Sequence, residues 1–190
     1  MKHVQRYATR YAMLVAVAAL AACGGDDDKS GTGPDEGAVL GNFSATLTGD
    51  IGGSLSGISA FASASSGESQ GFVLAMEDTL ANSTASAALL FMKQTPAIPG
   101  VGAHDVVDFE DPEAGVKFGL FAAVIDAGGD EWICTAREGT ITVTSSTAQR
   151  IKGTFDVAAE CVGVGADEPQ AMTLSGSFDS RVGLVPSGVE

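Results

Sequence analysis

Two neighbouring stretches in the second half of the chain alternate strictly between polar and apolar side chains, and this period of two is the strongest constraint on the fold. The first is 140–144 (Thr-Ile-Thr-Val-Thr) and the second runs from Arg150 to Val157. Successive side chains of a strand point to opposite faces, so each stretch is typical of a strand with one buried face. Residues 145–149 between them are turn-like. We therefore predict an antiparallel hairpin in which Ile141 faces Phe155.

Shorter alternations of the same kind fill the chain from Asn42 onward, separated by clusters of Gly, Ser, Asp and Pro. The apolar positions that share a face are Phe43, Ala45 and Leu47; Phe72, Leu74 and Met76; Leu89 and Phe91; and Val116, Phe118 and Leu120. The Ala-rich segment Thr79–Met92 could form a helix, although Asn82-Ser83-Thr84 inside it favours a loop. We predict an all-β chain, an antiparallel β-sandwich or flattened barrel of about nine or ten strands.

The N-terminus has a different pattern. Lys2, Arg6 and Arg10 supply positive charge without any acid, and an apolar run follows from Ala12 to Leu20. This order is typical of a secretory signal peptide. A stable bilayer-spanning helix needs roughly 20 apolar residues, so the run is too short to serve as a transmembrane anchor.

The end of this segment, Leu20-Ala21-Ala22-Cys23, resembles the lipobox of bacterial lipoproteins. The resemblance implies lipid transfer to the Cys23 sulfur, cleavage before Cys23 and acylation of the new amino terminus, and two or more acyl chains suffice for stable anchoring. It divides the chain into a signal peptide (1–22), a lipidated flexible tether (23–37) and a single β-sandwich domain (38–190). Gly24 resembles the sorting pattern for the outer membrane. The implied partner is therefore the lipid bilayer of the cell envelope, with the domain on the periplasmic side or at the surface.

Lipidation of Cys23 leaves Cys134 and Cys161 as the remaining thiols, in an exported and oxidising setting. We predict a disulfide between them. In the hairpin register these cysteines miss each other by one position, so one strand must contain an extra residue, which a β-bulge supplies. Arg137-Glu138-Gly139 is the predicted place, because glycine tolerates the positive φ that some bulges require.

A six-residue pattern occurs twice near the C-terminus, since Ile151–Asp156 and Leu174–Asp179 each place a Gly two residues before a Phe. Gly and Phe then lie on one face, where a ring from the neighbouring strand can cover the bare backbone. Together with Gly139–Val143, these segments resemble the tail of a family of small, uncharacterised bacterial lipoproteins with β-sandwich domains. The resemblance supports the fold and carries no known catalytic residues.

Charge and histidine content exclude several functions. The net charge of −14 would become −17 when three positive charges leave with the signal, and such a surface repels phosphate backbones, so we expect no nucleic-acid partner. Once His3 is removed, His104 is the remaining histidine, which rules out a multi-histidine zinc site. The pair His104-Asp105 could orient an imidazole for base catalysis, but no Gly-x-Ser-x-Gly elbow precedes a helix. We assign no catalytic residue and expect His104 in a loop or at a strand edge.

The acids from Asp105 to Glu113 form the densest cluster of carboxyl groups in the domain. The weak calcium candidates are Asp105, Asp108, Glu110 and Asp111. Calcium favours oxygen ligands, but the spacing does not fit an EF-hand loop and Pro112 indicates a turn, so the main interpretation is a solvated acidic loop. Two of the same carboxyl groups could alternatively form a glycosidase-type pair.

The aromatic side chains leave two interpretations open. Trp132 with Phe109 and Phe121 could form a platform for sugars or peptides, whereas the shared parity of Trp132 and Cys134 favours core packing against the disulfide. We expect a membrane-anchored envelope lipoprotein with a non-enzymatic binding or structural domain and no cofactor. The alternatives are a glycosidase-like hydrolase that uses the acids of 105–113 and a calcium-dependent adhesin-like module.

Overall fold

A computed structural model describes residues 40–66, 69–79, 83–109, 111, 116–163 and 168–183. All of them belong to the second of two units, Met1–Gly37 and Ala38–Glu190. The predictions on the signal segment, Cys23 and the tether therefore lie outside the described residues. The elements are β1 (Gly41–Gly49), β2 (Gly53–Ser66), β3 (Ser69–Asp78), β4 (Ser86–Lys93), β5 (Gly102–Val107), β6 (Gly119–Ile125), β7 (Glu131–Ser146), β8 (Arg150–Gly163) and β9 (Gln170–Val182). No helix in this described part has the length and hydropathy needed to span a membrane.

Eight of the strands close into an antiparallel barrel, and β5 is added to it as a ninth. The order around the barrel is β7-β6-β4-β3-β2-β1-β9-β8, and β8 pairs in turn with β7. The prediction of an all-β fold is confirmed. Of the two predicted architectures the barrel is the one that forms, because hydrogen bonding is continuous around the eight strands and joins what would be two sheets of a sandwich.

Inward-facing side chains fill the barrel with apolar atoms. The predicted faces are buried, with exposures of 6 % or less for Phe43, Ala45, Leu47, Phe72, Leu74, Met76, Leu89 and Phe91. Rings meet across the interior, where the centroids of Phe91 and Phe155 are 5.4 Å apart. Val116 is a correction: it was predicted to share the buried face of Phe118 and Leu120, but it precedes β6 and is 67 % exposed.

The segment Thr79–Met92 contains a strand and no described helix. β4 alternates Ala87, Leu89 and Phe91 into the core, and it pairs with β3 on one side and β6 on the other. Residues 80–82 lie outside the described part. Backbone groups of β4 are hydrogen-bonded to β3 on one side and to β6 on the other. This pairing overrides the helix propensity of its alanines.

β7 and β8 form the predicted hairpin, with Ile141 opposite Phe155. The register shifts by one between Ala136 and Glu138, so Arg137 is the extra residue. Cys134 is therefore opposite Cys161, and their sulfurs are bonded at 2.04 Å. Both the disulfide and the position of the bulge are confirmed.

Two details of the hairpin differ from the prediction. Gly139 is not one of the positive-φ glycines, so the bulge at Arg137 does not use glycine's conformational freedom. Gly139 is required for close packing instead, because a Cβ there would lie 2.7 Å from Val157 Cα. A second register shift lies between Val143 and Ser145, and β7 continues to Ser146, so the turn is shorter than 145–149.

The two repeated Gly-Phe patterns lie side by side on β8 and β9. Gly153 is opposite Phe178, and Phe155 is opposite Gly176. A Cβ added to Gly153 would lie 2.8 Å from Phe178 Cζ, and one added to Gly176 would lie 2.7 Å from Phe155 Cζ. Each ring therefore covers the glycine opposite it. The predicted covering is confirmed, and it is reciprocal.

Candidate functional site

The barrel is irregular at one place, the seam, which comprises residues 105–108, 117–118 and 136–139. Here β6 leaves β7 and β5 takes its position, since β6 pairs with 131–135 of β7 and β5 with 138–143. The other side of β5 is held by two backbone hydrogen bonds, from Val107 N to Phe118 O at 2.8 Å and from Phe118 N to Asp105 O at 3.0 Å. The connection from β5 to β6, which carries the predicted acids, begins and ends at this seam.

Arg137, the bulge residue, joins two acids across the seam. Its Nη1 donates to Asp108 Oδ2, and its Nη2 lies 2.7 Å from Glu160 Oε1. The hydrogen bond to Glu160, and then that to Asp108, raises the pKa of the guanidinium further above its ordinary value. The bulge leaves the two successive residues Arg137 and Glu138 exposed, and the Arg137 cation lies on the outer face beside Asp108 and Glu160.

Two further acids of this region, Asp105 and Asp111, are among the described residues. Asp105 Oδ2 lies 3.6 Å from Lys117 Nζ, and Asp111 donates its backbone N–H to Asp108 O at 3.0 Å. Glu110 and Glu113 lie outside the described residues. Within the described ranges no three His, Cys, Asp or Glu side chains are grouped as a metal site would require. The calcium hypothesis therefore stays a prediction that solution measurements must test.

We expect calcium to leave the melting temperature unchanged, because Lys117 and Arg137 already occupy oxygens of Asp105 and Asp108. A site with a Kd of about 1 mM would stabilise the fold by about 1.4 kcal/mol at about 10 mM calcium. Thermal unfolding with calcium and then with EDTA checks this, and magnesium at equal ionic strength is the control. A calcium-specific rise that EDTA reverses would contradict the expectation.

An open groove of about 490 Å³ lies on the outer face of the seam, between β5 and β8. Its lining residues are Asp105, Val106, Val107, Glu138, Gly139, Thr140, Asp156 and Ala158. Asp105 and Asp156 flank Thr140 in one cross-strand row, so two strand spacings, about 10 Å, separate their backbones. The Asp105 side chain is 68 % exposed. The groove thus lacks the exclusion of water on which a glycosidase-type acid depends.

His104 and Asp105 are not brought together as a catalytic pair. His104 lies on β5, and its Nε2 is 2.7 Å from Gly100 O while its ring meets Phe118 edge-on. Asp105 is the next residue of the same strand, so its side chain points to the opposite face and reaches Lys117 instead. His104 was predicted in a loop or at a strand edge, and it lies in β5, the strand at the edge of the sheet order.

The aromatic platform is not assembled either. Trp132 is partly buried against the core, and its Nε1 donates to Asp126 Oδ2 at 3.1 Å. Phe121 lies on the outer face of β6, and the ring of Phe109 covers Gly119 on that same face of the strand, so Trp132 lies apart from the other two rings. Trp132 follows the inward parity of Cys134, which agrees with the core-packing interpretation.

The outer surface of the barrel has an apolar half and a polar half. The apolar half, here the apolar face, consists of Ala60, Ala62, Val73, Ala75, Leu90, Met92, Phe121 and Ala123, all partly exposed. One row of it runs Ala60-Ala75-Leu90-Phe121 across β2, β3, β4 and β6. On the other half, the corresponding row of β7, β8, β9, β1 and β2 is Thr142-Thr154-Ser177-Ser44-Ser56. This division is set by which residues occupy the outward positions of each strand, and it does not depend on the inward residues that form the core.

An ion-pair network lies on the polar half, near the start of β8. Asp179 accepts two hydrogen bonds from Arg150, at 2.6 Å from Nε and 2.5 Å from Nη2, and its Oδ2 is 2.9 Å from Lys152 Nζ. The bidentate bond from Arg150, aided by Lys152, holds the pKa of the Asp179 carboxyl well below its usual range.

Replacing Asp179 with Asn is expected to lower the free energy of unfolding by about 1 kcal/mol at pH 7. Because the folded pKa of Asp179 is depressed, its contribution is fully present above the unfolded pKa of about 4 and is lost as the pH falls through the folded value. Urea unfolding of both chains at neutral pH and at about pH 2 should therefore show a gap that narrows in acid. Asp156→Asn, on the same outer face, is the control and should show no such gap.

One buried polar pair was missed by sequence reasoning. Ser59 and Ser180 are 1 % and 0 % exposed and their hydroxyls are hydrogen-bonded to each other inside the barrel. The sequence did indicate that Ser59 faces inward, since it has the parity of Leu55 and Phe61 on β2. Only the neighbouring positions of β2 and β9 show that each serine satisfies the other.

Comparisons with protein-family models, with curated proteins and with solved structures found no match to this chain.

Proposed function

We propose that this chain is an exported bacterial lipoprotein, held in the cell envelope through an acylated Cys23, whose barrel is a non-enzymatic binding or structural module. The lipobox-like Leu20-Ala21-Ala22-Cys23 and the charge order before it support export and lipidation. The Cys134–Cys161 disulfide is of the kind that persists in an oxidising compartment. The role of the barrel then depends on its surface.

The apolar face is the observation that carries the binding role. The interior is occupied by side chains such as Phe72, Phe91 and Leu120, each of which is 0 % exposed. A partner would therefore bind to the outer surface of the barrel. Contiguous apolar surface on a soluble domain marks an interaction site, because isolated apolar side chains are common but continuous rows are not. Leu90 and Phe121, adjacent across β4 and β6, are the two largest side chains of the row Ala60-Ala75-Leu90-Phe121.

Lipidation is tested by growing cells with an alkyne-bearing fatty acid and purifying the chain. We expect label on the wild type and none on Cys23→Ala. The matched control is the Cys134→Ala/Cys161→Ala chain, which should keep its label because the cysteines of the barrel are not the acceptors. Undiminished label in Cys23→Ala would refute the anchor.

The binding role is tested by photo-crosslinking in intact cells with a photoreactive amino acid at position 90 or 142. Leu90 lies on the apolar face, and Thr142 on the polar half provides the matched control. We expect a discrete adduct from position 90 and none from position 142. Equal adducts at both positions, or none at position 90, would remove the apolar face as the binding surface.

A further inference from the structure

The apolar face is uneven across its width. Its β2 and β3 side carries small residues, whereas its β4 and β6 side carries large ones. Two rows of paired outward positions show the difference, Ala60-Ala75-Leu90-Phe121 and Ala62-Val73-Met92-Gly119. The ring of Phe109 covers Gly119 on the outer face of β6, so the second row also ends at an aromatic side chain. One half of the face is therefore lower than the other.

A surface of this kind is complementary to itself. When two copies pack face to face about a two-fold axis, every contact of residue i with residue j is repeated as a contact of j with i. An axis that runs along the strands between β3 and β4 places β4 of each copy on β3 of the other, and β6 on β2. Leu90 then faces Ala75 of the second copy, and Phe121 faces its Ala60. Large side chains meet small ones in both directions.

The curvature of the barrel favours the same arrangement. Two convex surfaces are closest along the axis and diverge on either side of it. Beside the axis the opposed positions are Leu90 with Ala75 and Met92 with Val73, which are pairs of one larger and one smaller side chain. One strand further out the gap is wider, and the ring of Phe121 is long enough to cross it. The order of sizes therefore follows the shape of the gap.

The distribution of charge also favours this face for contact between copies. The chain has a net charge of −14, so two copies repel each other, and the repulsion is weakest where neither surface is charged. Among the described outward positions of β2, β3, β4 and β6, Glu77 is the one ionisable side chain. It is exposed and lies one row beyond Ala75, opposite Ala88. The polar half, by contrast, presents Asp156 and Asp179.

The size of the apolar face indicates a reversible association. Each partner of a standard interface contributes roughly 20 to 30 residues, and crystal-independent stable dimers bury about 800 Å² on each side. The apolar face with Phe109 has fewer residues than that. We therefore expect the fraction of paired copies to depend strongly on their concentration.

We propose that the apolar face binds the same face of a second copy of this chain, with Leu90 and Phe121 of each copy packing on Ala75 and Ala60 of the other. This rests on the proposed binding role of the apolar face and specifies its partner. The pair buries the two apolar rows of both barrels and leaves both polar halves in solvent. Burial of these rows stabilises the pair, and the lack of charge in them avoids a desolvation cost.

The contact is tested in intact cells that express two copies of the full chain with different C-terminal tags. One copy carries a photoreactive amino acid at position 121. We expect an adduct that contains both tags and whose cross-link lies in β2 of the second copy. The same photoreactive residue at position 142, on the polar half, is the matched control and should give no such adduct.

Two singly substituted chains test the register of the pair. Leu90→Arg and Ala75→Glu each bury unpaired charges when a chain associates with itself, so each should lower the yield of the adduct at least about tenfold. When one tagged copy carries Leu90→Arg and the other carries Ala75→Glu, the yield should return to within about threefold of the wild type, because the two new charges face each other. Thr142→Arg, on the polar half, should leave the yield unchanged.

The identity of the adduct separates this proposal from the proposed binding role. An adduct of position 121 with a different protein would overturn the second copy as the partner and leave the binding role standing, whereas no adduct at positions 90 and 121 would overturn both. A cross-link in β8 or β9 of the second copy, no recovery when the two substituted chains are combined, or an equal loss with Thr142→Arg would each overturn the two-fold arrangement.

Discussion

Reduction of the Cys134–Cys161 bond is expected to lower the free energy of unfolding by about 3 to 4 kcal/mol. The bond closes a loop with a sequence separation of 27, and releasing that loop increases the entropy of the unfolded chain. For a domain of this size the melting temperature should fall by about 10 °C. Thermal unfolding with and without a reductant measures the effect, and peptide mass mapping without reduction should find Cys134 linked to Cys161.

The variant Cys134→Ala/Cys161→Ala separates the loop from the packing. Both cysteines are 0 % exposed, so the variant loses the cross-link and also leaves a small void, which costs further stability. We expect it to be somewhat less stable than reduced wild type. Cys23→Ala is the control, since it should retain the bond and its melting temperature. An unchanged transition after verified reduction, or two free thiols in exported protein, would contradict the prediction.

Alanine at Gly153 or Gly176 is expected to destabilise the barrel by about 1 to 3 kcal/mol each. At Gly176 the new Cβ would lie 2.7 Å from Phe155 Cζ and 2.9 Å from Ala45 Cα, and it would come still closer to Ser44 O. At Gly153 it would meet Phe178 and Thr142 O. The strands cannot separate without breaking their hydrogen bonds, so the backbone oxygen and the ring both limit the space for a Cβ, and movement of the ring relieves only part of the clash. Urea unfolding of each variant measures the loss.

Gly100→Ala provides the matched control for the same chemical change. Nothing lies within 4 Å of a Cβ at Gly100, so its stability should remain within about 0.5 kcal/mol of the wild type. A double-mutant cycle then tests the cause: in a Phe178→Leu background, Gly153→Ala should cost less than it does alone. Full additivity, or an equal loss at Gly100, would show that the rings do not set the requirement for glycine.

These two sites explain why the C-terminal hairpin region of the fold could be predicted. The alternation in 140–157 fixes which side chains face the core, and the pairing of Cys134 with Cys161 then requires an extra residue near Arg137. The Gly-Phe repeat likewise identifies the face on which Phe155 and Phe178 lie. All of these are local patterns, and strands that are joined by a short turn have little freedom in their register.

The ion pairs at the seam could not be predicted from local sequence patterns. The sequence identified Asp105 and Asp108 as a dense acidic cluster, but not that Lys117 and Arg137 would pair with them. Arg137 reaches Asp108 across 29 residues of sequence, and it does so only because β5 lies beside the part of β7 that β6 has left. No alternation in the sequence indicates that replacement. The acids therefore look like a ligand cluster in the sequence and are separate ion pairs in the barrel.

The sequence by itself determined the class of structure, the inward faces, the disulfide and the position of the bulge, because side-chain direction in a strand depends only on residue parity. Barrel closure, the insertion of β5 and the Ser59–Ser180 pair came only from the tertiary structure. Each depends on which strands become neighbours, and that choice is made by residues far apart in the chain. Ser59 and Ser180 are 121 residues apart in the sequence, and they meet inside the barrel because β2 and β9 become neighbours there.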